Sequence, residues 1–149
     1  MKIYRREATE SDIPFIYQLK KEALYPYVDA IWDWDEVFQK KRFTETLCLG
    51  RIDILLIDSE PIGMLEIEER EKRIELINIE IIEPLRGKGI GTKIIRELLD
   101  EARSKGKPVG LRVFKENTGA IGLYKRIGFQ VCGESEHHLE MGIPSMEKQ

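Results

Sequence analysis

At 149 residues, 34% of them charged and 42% hydrophobic, the chain is long enough for one domain with its own core and too apolar for a disordered segment. A formal net charge of −3, with both signs interspersed, argues against a nucleic-acid binder, which would show a basic stripe. No apolar run approaches the ~20 residues of a membrane span, residues 1–7 hold no apolar leader, and Cys48 and Cys132 lie far apart among apolar neighbours. The expectation is a cytoplasmic protein with two reduced, buried thiols, no disulfide and no metal.

In chain order, residues 2–6 alternate as a short strand. Thr9-Glu10-Ser11-Asp12 reads as a helix start with Thr9 or Ser11 as cap, and Ile13, Phe15, Ile16, Leu19, Ala23 and Leu24 continue at helical spacing. Pro14 is tolerated in a first turn, and the helix is expected to end near Tyr25-Pro26. Residues 25–35 then form a connection that holds both tryptophans, interleaved with aspartates, before a second helix to about Cys48 with Val37, Phe38, Phe43 and Leu47 inside. Residues 51–58, 61–68 and 73–82 read as three strands joined by short turns, an antiparallel meander.

Ile90, Ile94, Ile95, Leu98, Leu99 and Ala102 trace one face of the next helix, which Gly106 and Pro108 terminate. Val109, Leu111 and Val113 mark a strand, expected parallel to residues 73–82 because a helix connects them. Asn117 caps a short helix that Gly128 ends, residues 129–133 and 137–141 read as a closing hairpin, and the last residues are expected to fray. The fold class is therefore α/β (α+β): a mixed, mainly antiparallel sheet of about seven strands with helices on both faces, in a single domain over residues 1–149.

The chemistry concentrates at Glu83-Pro84-Leu85-Arg86-Gly87-Lys88-Gly89-Ile90-Gly91-Thr92-Lys93, between a β-branched strand and a helix. Glycines at alternate positions let an anion approach the backbone, and the first N–H groups of the helix have no intrahelical partner and carry the positive end of its dipole. A Walker-type loop needs Gly-Lys followed by Ser or Thr, but Gly91 is followed by Thr92 and then Lys93. A dinucleotide fingerprint needs a third glycine where Thr92 stands, and antiparallel strands come first here.

Arg86-x-x-Gly89-x-Gly91 after a strand ending Ile82-x-Pro84 resembles the acetyl-CoA signature of the GCN5-related N-acetyltransferases (GNAT). Asn117-x-x-Ala120-x-x-x-Tyr124-x-x-x-Gly128-Phe129 resembles the second motif of that family, and the order of elements fits it over residues 2–142. The resemblance implies acetyl-CoA as cofactor. Its pyrophosphate would lie on the loop N–H groups of Arg86, Gly87, Lys88, Gly89, Ile90, Gly91 and Thr92, with charge from Arg86 and Lys88. Pantetheine would pair with the strand backbone near Ile81 and Ile82, and Asn117 belongs to the second motif of the cofactor site.

Acetyl transfer to an amine needs a neutral nucleophile, yet a free lysine amine with pKa ≈10.4 is neutral in only about 1 of 2,500 molecules at pH 7. Tyr124 aligns with the motif tyrosine and is the candidate acid for the departing thiolate; packing on its apolar helix face is the alternative. Glu80 interrupts the apolar strand and is the candidate base, against the alternative of an ion pair with Arg112. Some peptide-N-terminal members carry a glutamate where this chain has Arg112, which argues against a ribosomal-protein-type acceptor.

The acceptor is expected to be a small-molecule or peptide amine. Tyr27, Asp29 and Trp32 are its candidate contacts, since aromatic faces and carboxylates attract cations, whereas Trp34 and Asp35 are assigned to anchoring the loop and capping the next helix. Of His137 and His138, His138 is the candidate acceptor contact. No nucleic-acid or membrane partner is expected, and a homodimer stays open. The reading is an acetyl-CoA-dependent N-acetyltransferase with direct attack of the amine on the thioester; the alternative is a non-catalytic acyl-CoA-binding or sensing domain.

Overall fold

The structure is a computed structural model and describes residues 2–145. Its elements are β1 (Tyr4–Glu7), α1 (Ile13–Trp32), α2 (Glu36–Thr46), β2 (Ile52–Ile57), β3 (Glu60–Glu69), β4 (Ile74–Ile81), α3 (Ile90–Ser104), β5 (Val109–Phe114), α4 (Thr118–Ile127), β6 (Gln130–Glu134) and β7 (His138–Ile143). The seven strands hydrogen-bond in the order β1-β2-β3-β4-β5-β7-β6. The chain divides into two compact units, the residues up to Glu66 with Ile79–Leu85, and Ile67–Asn78 with the residues from Arg86 on. The expected fraying falls on residues 146–149, outside the described residues.

In the first unit, Ala8, Ile16, Leu19, Ile52, Ile54 and Met64 form the buried cluster, and Phe43, Leu47 and Ile82 pack against it. Asp58 and Ser59 both adopt positive φ (48° and 68°), the two-residue turn geometry that matches the twist of paired strands. β3 carries an extra residue opposite β2: Leu55 pairs with Gly63 and Leu56 with Pro61. Gly63 lies so close to β4 that a Cβ there would stand 2.4 Å from the carbonyl oxygen of Glu80.

In the second unit, Ile90, Ile94, Ile95, Leu98 and Ala102 form the buried face of α3. β5 runs parallel to the start of β4, with Ile74, Glu75 and Leu76 opposite Val109, Gly110 and Leu111. β7 pairs antiparallel with β5 on one side and β6 on the other. Glu69 clamps the end of α3 through Lys105 Nζ at 2.8 Å and Lys107 Nζ at 2.9 Å.

Three expectations are corrected. First, α1 does not stop at Tyr25-Pro26 but continues to Trp32 with Pro26 inside. An interior proline costs about 3 kcal/mol, and burial and capping beyond it offset this. Val28 is buried, and Asp29 ends the helix by accepting the Asp33 N–H at its carbonyl (3.1 Å) and the Trp34 N–H at Oδ1 (2.9 Å). Second, Val37 and Phe38 are 81% and 56% exposed rather than inside. Asp35 caps α2 by accepting the Phe38 N–H at 3.0 Å. With Phe43 turned to the core, 100° per residue then aims Val37 and Phe38 roughly 120–140° away from it. Third, both cysteines are free, but neither is buried: Cys48 is half-buried and Cys132 is exposed on β6.

Candidate functional site

Within the second unit the glycine loop makes a bare helix start. Gly87 and Gly89 have φ of 75° and 81°, left-handed values that a side chain resists. Gly89 is the residue before α3 and gives it no side-chain cap. The first intrahelical bond runs from the Lys93 N–H to the Gly89 carbonyl at 3.0 Å, so the N–H groups of Ile90, Gly91 and Thr92 have no acceptor within the helix. A Cβ placed on Gly87, Gly89 or Gly91 would meet nothing within 4 Å. These glycines are therefore not required by crowding, and the space over the loop is open. Arg86 and Lys88 are exposed beside it, while buried Ile90 anchors the helix start. Bare N–H groups, the positive end of a helix dipole and flanking cations suit a pyrophosphate.

The second motif begins where β5 ends. The Asn117 N–H donates to the Phe114 carbonyl at 3.0 Å, and Asn117 Oδ1 accepts the Ala120 N–H at 3.2 Å, which caps α4. Tyr124 is half-buried on α4, its ring centroid 5.7 Å from that of buried Phe129 in an edge-on contact. Its carbonyl accepts the N–H groups of Gly128 (3.1 Å) and Phe129 (2.9 Å), the turn that Gly128 allows at φ 126°.

His138 opens β7 directly opposite Phe114, and the two rings stack at 4.2 Å between centroids. Arg112, two residues before Phe114 and so on the same face of β5, places Nη2 3.2 Å from His138 Nδ1. Burial, then the charges of Arg112 and His137, push the imidazole below its usual pKa, against a smaller opposing effect of Glu116. The sequence pointed to Arg112 as an alternative partner for Glu80 and as a departure from peptide-N-terminal members, not as a partner for His138. Strand alternation, which sets 112 and 114 beside 138 and 140, was the available signal for the pair with His138.

In the first unit, Ile81 is buried and Glu80 and Ile82 are half-buried at the end of β4. The Ile82 N–H donates to the Ile62 carbonyl at 2.9 Å, and its own carbonyl accepts the Leu85 N–H at 3.0 Å. Strand alternation directs the Ile81 backbone groups to the side of β4 away from β3.

Tyr27, Asp29 and Trp32 sit on the last turns of α1 rather than in a loop. Asp29 holds the helix end, Tyr27 is half-buried and Trp32 is 56% exposed. Trp34 and Asp35 do anchor and cap: Trp34 Nε1 donates to Glu36 Oε2 at 2.7 Å, and its ring lies 5.3 Å from that of Tyr25. Tyr17 donates to Glu36 at 2.7 Å; burial and this bond push its phenol to about 12, and the same bond with those from Lys21 and Trp34 holds Glu36 at about 2.

Comparison with known proteins converges on one family. The model of the acetyltransferase (GNAT) family matches residues 13–129. An uncharacterized N-acetyltransferase of Bacillus subtilis, YobR, is 47% identical over 64 residues, which is 42% of this chain and 25% of that protein. Streptothricin acetyltransferase of Streptomyces lavendulae is 36% identical over 85 residues, 49% of this chain and 45% of that protein. The crystal structure of the PaiA N-acetyltransferase of Thermoplasma acidophilum in complex with coenzyme A superposes with a TM-score of 0.76 at 18% identity, covering 98% of this chain and 100% of that one. The chain thus spans a quarter to under a half of the length of these two curated relatives.

Proposed function

Since the chain belongs to the acetyltransferase (GNAT) family, we propose that it is an N-acetyltransferase that moves the acetyl group of acetyl-CoA to a primary amine. One observation carries this reading: α3 starts bare, behind two left-handed glycines with open space above them, in the same unit as the Asn117-capped motif helix. The matched span takes in residues of both units, consistent with a single domain. Among the described residues no helix is long and apolar enough to cross a membrane, and free cysteines fit a cytoplasmic setting.

In this mechanism acetyl-CoA, when bound, supplies an activated acetyl thioester. The N–H groups from Arg86 to Thr92 would hold the pyrophosphate, and the backbone near Ile81 and Ile82 would orient the pantetheine arm. Glu80, directly or through water, takes the proton of the attacking amine, and the Tyr124 hydroxyl donates a proton to the departing sulfur. The acceptor is a small-molecule or peptide amine.

The test is thiol release from acetyl-CoA over a panel of polyamines, amino acids and lysine peptides, beside calorimetric CoA binding. Tyr124→Phe is expected to lower kcat by 10²-fold or more with little change in CoA affinity. Glu80→Gln is expected to remove the acidic limb of the pH–rate profile. CoA binding with no thiol release from any amine would assign the chain to acyl-CoA sensing instead.

A further inference from the structure

The geometry points to Arg112 and His138 as the site that receives a carboxylate carried by the acceptor close to its amine. This rests on the acetyltransferase reading and narrows its substrate class.

Arginine only donates hydrogen bonds, so the contact of Arg112 Nη2 with Nδ1 of His138, at 3.2 Å, makes that nitrogen the acceptor. The proton of the neutral ring then sits on Nε2. The pair therefore presents donors only: the remaining guanidinium N–H groups and the imidazole Nε2–H. Stacking on Phe114 at 4.2 Å holds the ring in place. With its lone-pair nitrogen engaged, His138 is a poor base and a good hydrogen-bond donor.

Other cations of the sheet already have a carboxylate. Arg5 is 3.1 Å from Asp53, Arg73 pairs with Glu75, and Lys115 is 3.0 Å from Glu134. Arg112 has none among the described residues of its unit. Its cross-strand neighbour Glu140 is turned toward β6, where Oε2 lies 2.9 Å from the place of a Cβ on Gly133. Glu116 and His137 are the further titratable groups that His138 senses. A planar guanidinium beside a second donor fits a carboxylate, which completes the missing charge pair.

The position suits an acceptor. His138 stands at the C-terminal end of β5, beside Phe114 and three residues ahead of Asn117 in the motif that follows. Ligands of parallel βαβ units lie at the C-terminal ends of the strands. From Arg112 a groove of about 680 Å³ runs back along β5 and β7, with the Arg73–Glu75 pair lying over Gly110 as part of its wall, and has room for the body of such a molecule.

A free amino acid and an acidic peptide N-terminus offer the same chemistry, and two arms separate them. One compares L-leucine, L-phenylalanine and L-glutamine with their α-carboxamides; the other compares tetrapeptides beginning with Asp and with Asn. Spermidine is the carboxylate-free control. Thiol release should favour the acid over its amide at least tenfold in kcat/KM in one arm, chiefly through KM. Arg112→Gln should bring that ratio to about one, and Arg112→Lys should restore part of it. Acid-to-amide ratios near one in both arms overturn the assignment. So does turnover of spermidine alone, turnover of no member, or an Arg112→Gln variant that loses acid and amide equally. Calorimetric acetyl-CoA binding to the unmodified protein separates the two readings: without binding, the acetyltransferase reading itself fails.

Discussion

α3 and α4 start in the same compact unit, each after a strand and a short loop, and they treat their first N–H groups in opposite ways. Asn117 closes the start of α4 by accepting the Ala120 N–H at 3.2 Å. α3 has no side-chain cap, follows a left-handed glycine, and carries Gly91 in its first turn where alanine would favour the helix by up to about 1 kcal/mol. In the first unit α2 follows the α4 pattern, capped by Asp35. By contrast, α1 has no side-chain cap and continues from a 3-10 turn, ahead of which Asp12 accepts the Thr9 N–H at 2.8 Å while pairing with Arg6 at 2.7 Å. The start of α3 has no side-chain cap and opens on glycines, which is what a ligand-binding terminus requires; the capped starts of α2 and α4 serve stability.

The sharpest way to break this contrast is Gly91→Glu. Gly91 has ordinary φ and open space around it, so the fold should hold while the added carboxylate occupies the anion position. CoA affinity is expected to fall 100-fold or more, about 3 kcal/mol, with a melting temperature unchanged or raised, since glutamate is the better helix former. An unaltered Kd would remove the loop from the cofactor site.

Next in size is Asp12→Asn, expected to cost about 2 kcal/mol in urea unfolding at neutral pH, as for a charge-assisted hydrogen bond at a buried carboxylate. The hydrogen bond from Arg6 holds this carboxyl at about 2, well below the usual carboxylate range. A depressed folded value means that the stabilisation is complete above about pH 4 and is lost as pH falls through about 2. The stability gap between wild type and variant should therefore narrow only in acid, and a gap independent of pH would remove this ion pair as its source.

The smallest effect is Asn117→Ala, expected to lower stability by about 1 kcal/mol, read as a shift in the urea midpoint at constant slope. A loss confined to CoA affinity, with no change in midpoint, would make Asn117 a ligand residue rather than a cap and would erase the contrast with Gly89.

Much of the second unit was legible because its signals are local. Gly106 and Gly128 sit at helix ends with φ of 66° and 126°, and Asn117 caps as its residue type and position suggested. The apolar face of α3 and the parallel β4–β5 pair also follow from spacing and connection length. The first unit hid more. Pro26 is a strong local stop, yet α1 passes through it, because Val28 is buried and Asp29 closes the helix from further along. Val37 and Phe38 are apolar by composition but outward by helical phase, a matter of where Asp35 and Phe43 are held.

The sequence by itself determined the glycine loop, the capped motif helix and the family to which they belong. All three depend on backbone conformations and hydrogen bonds reached within a few residues. Tertiary structure decided where the candidate acceptor residues stand. It moved Tyr27, Asp29 and Trp32 onto a helix, and it joined Arg112 to His138 across paired strands. Residues 26 positions apart become a donor pair only once β5 and β7 are in register, and no local propensity encodes that register.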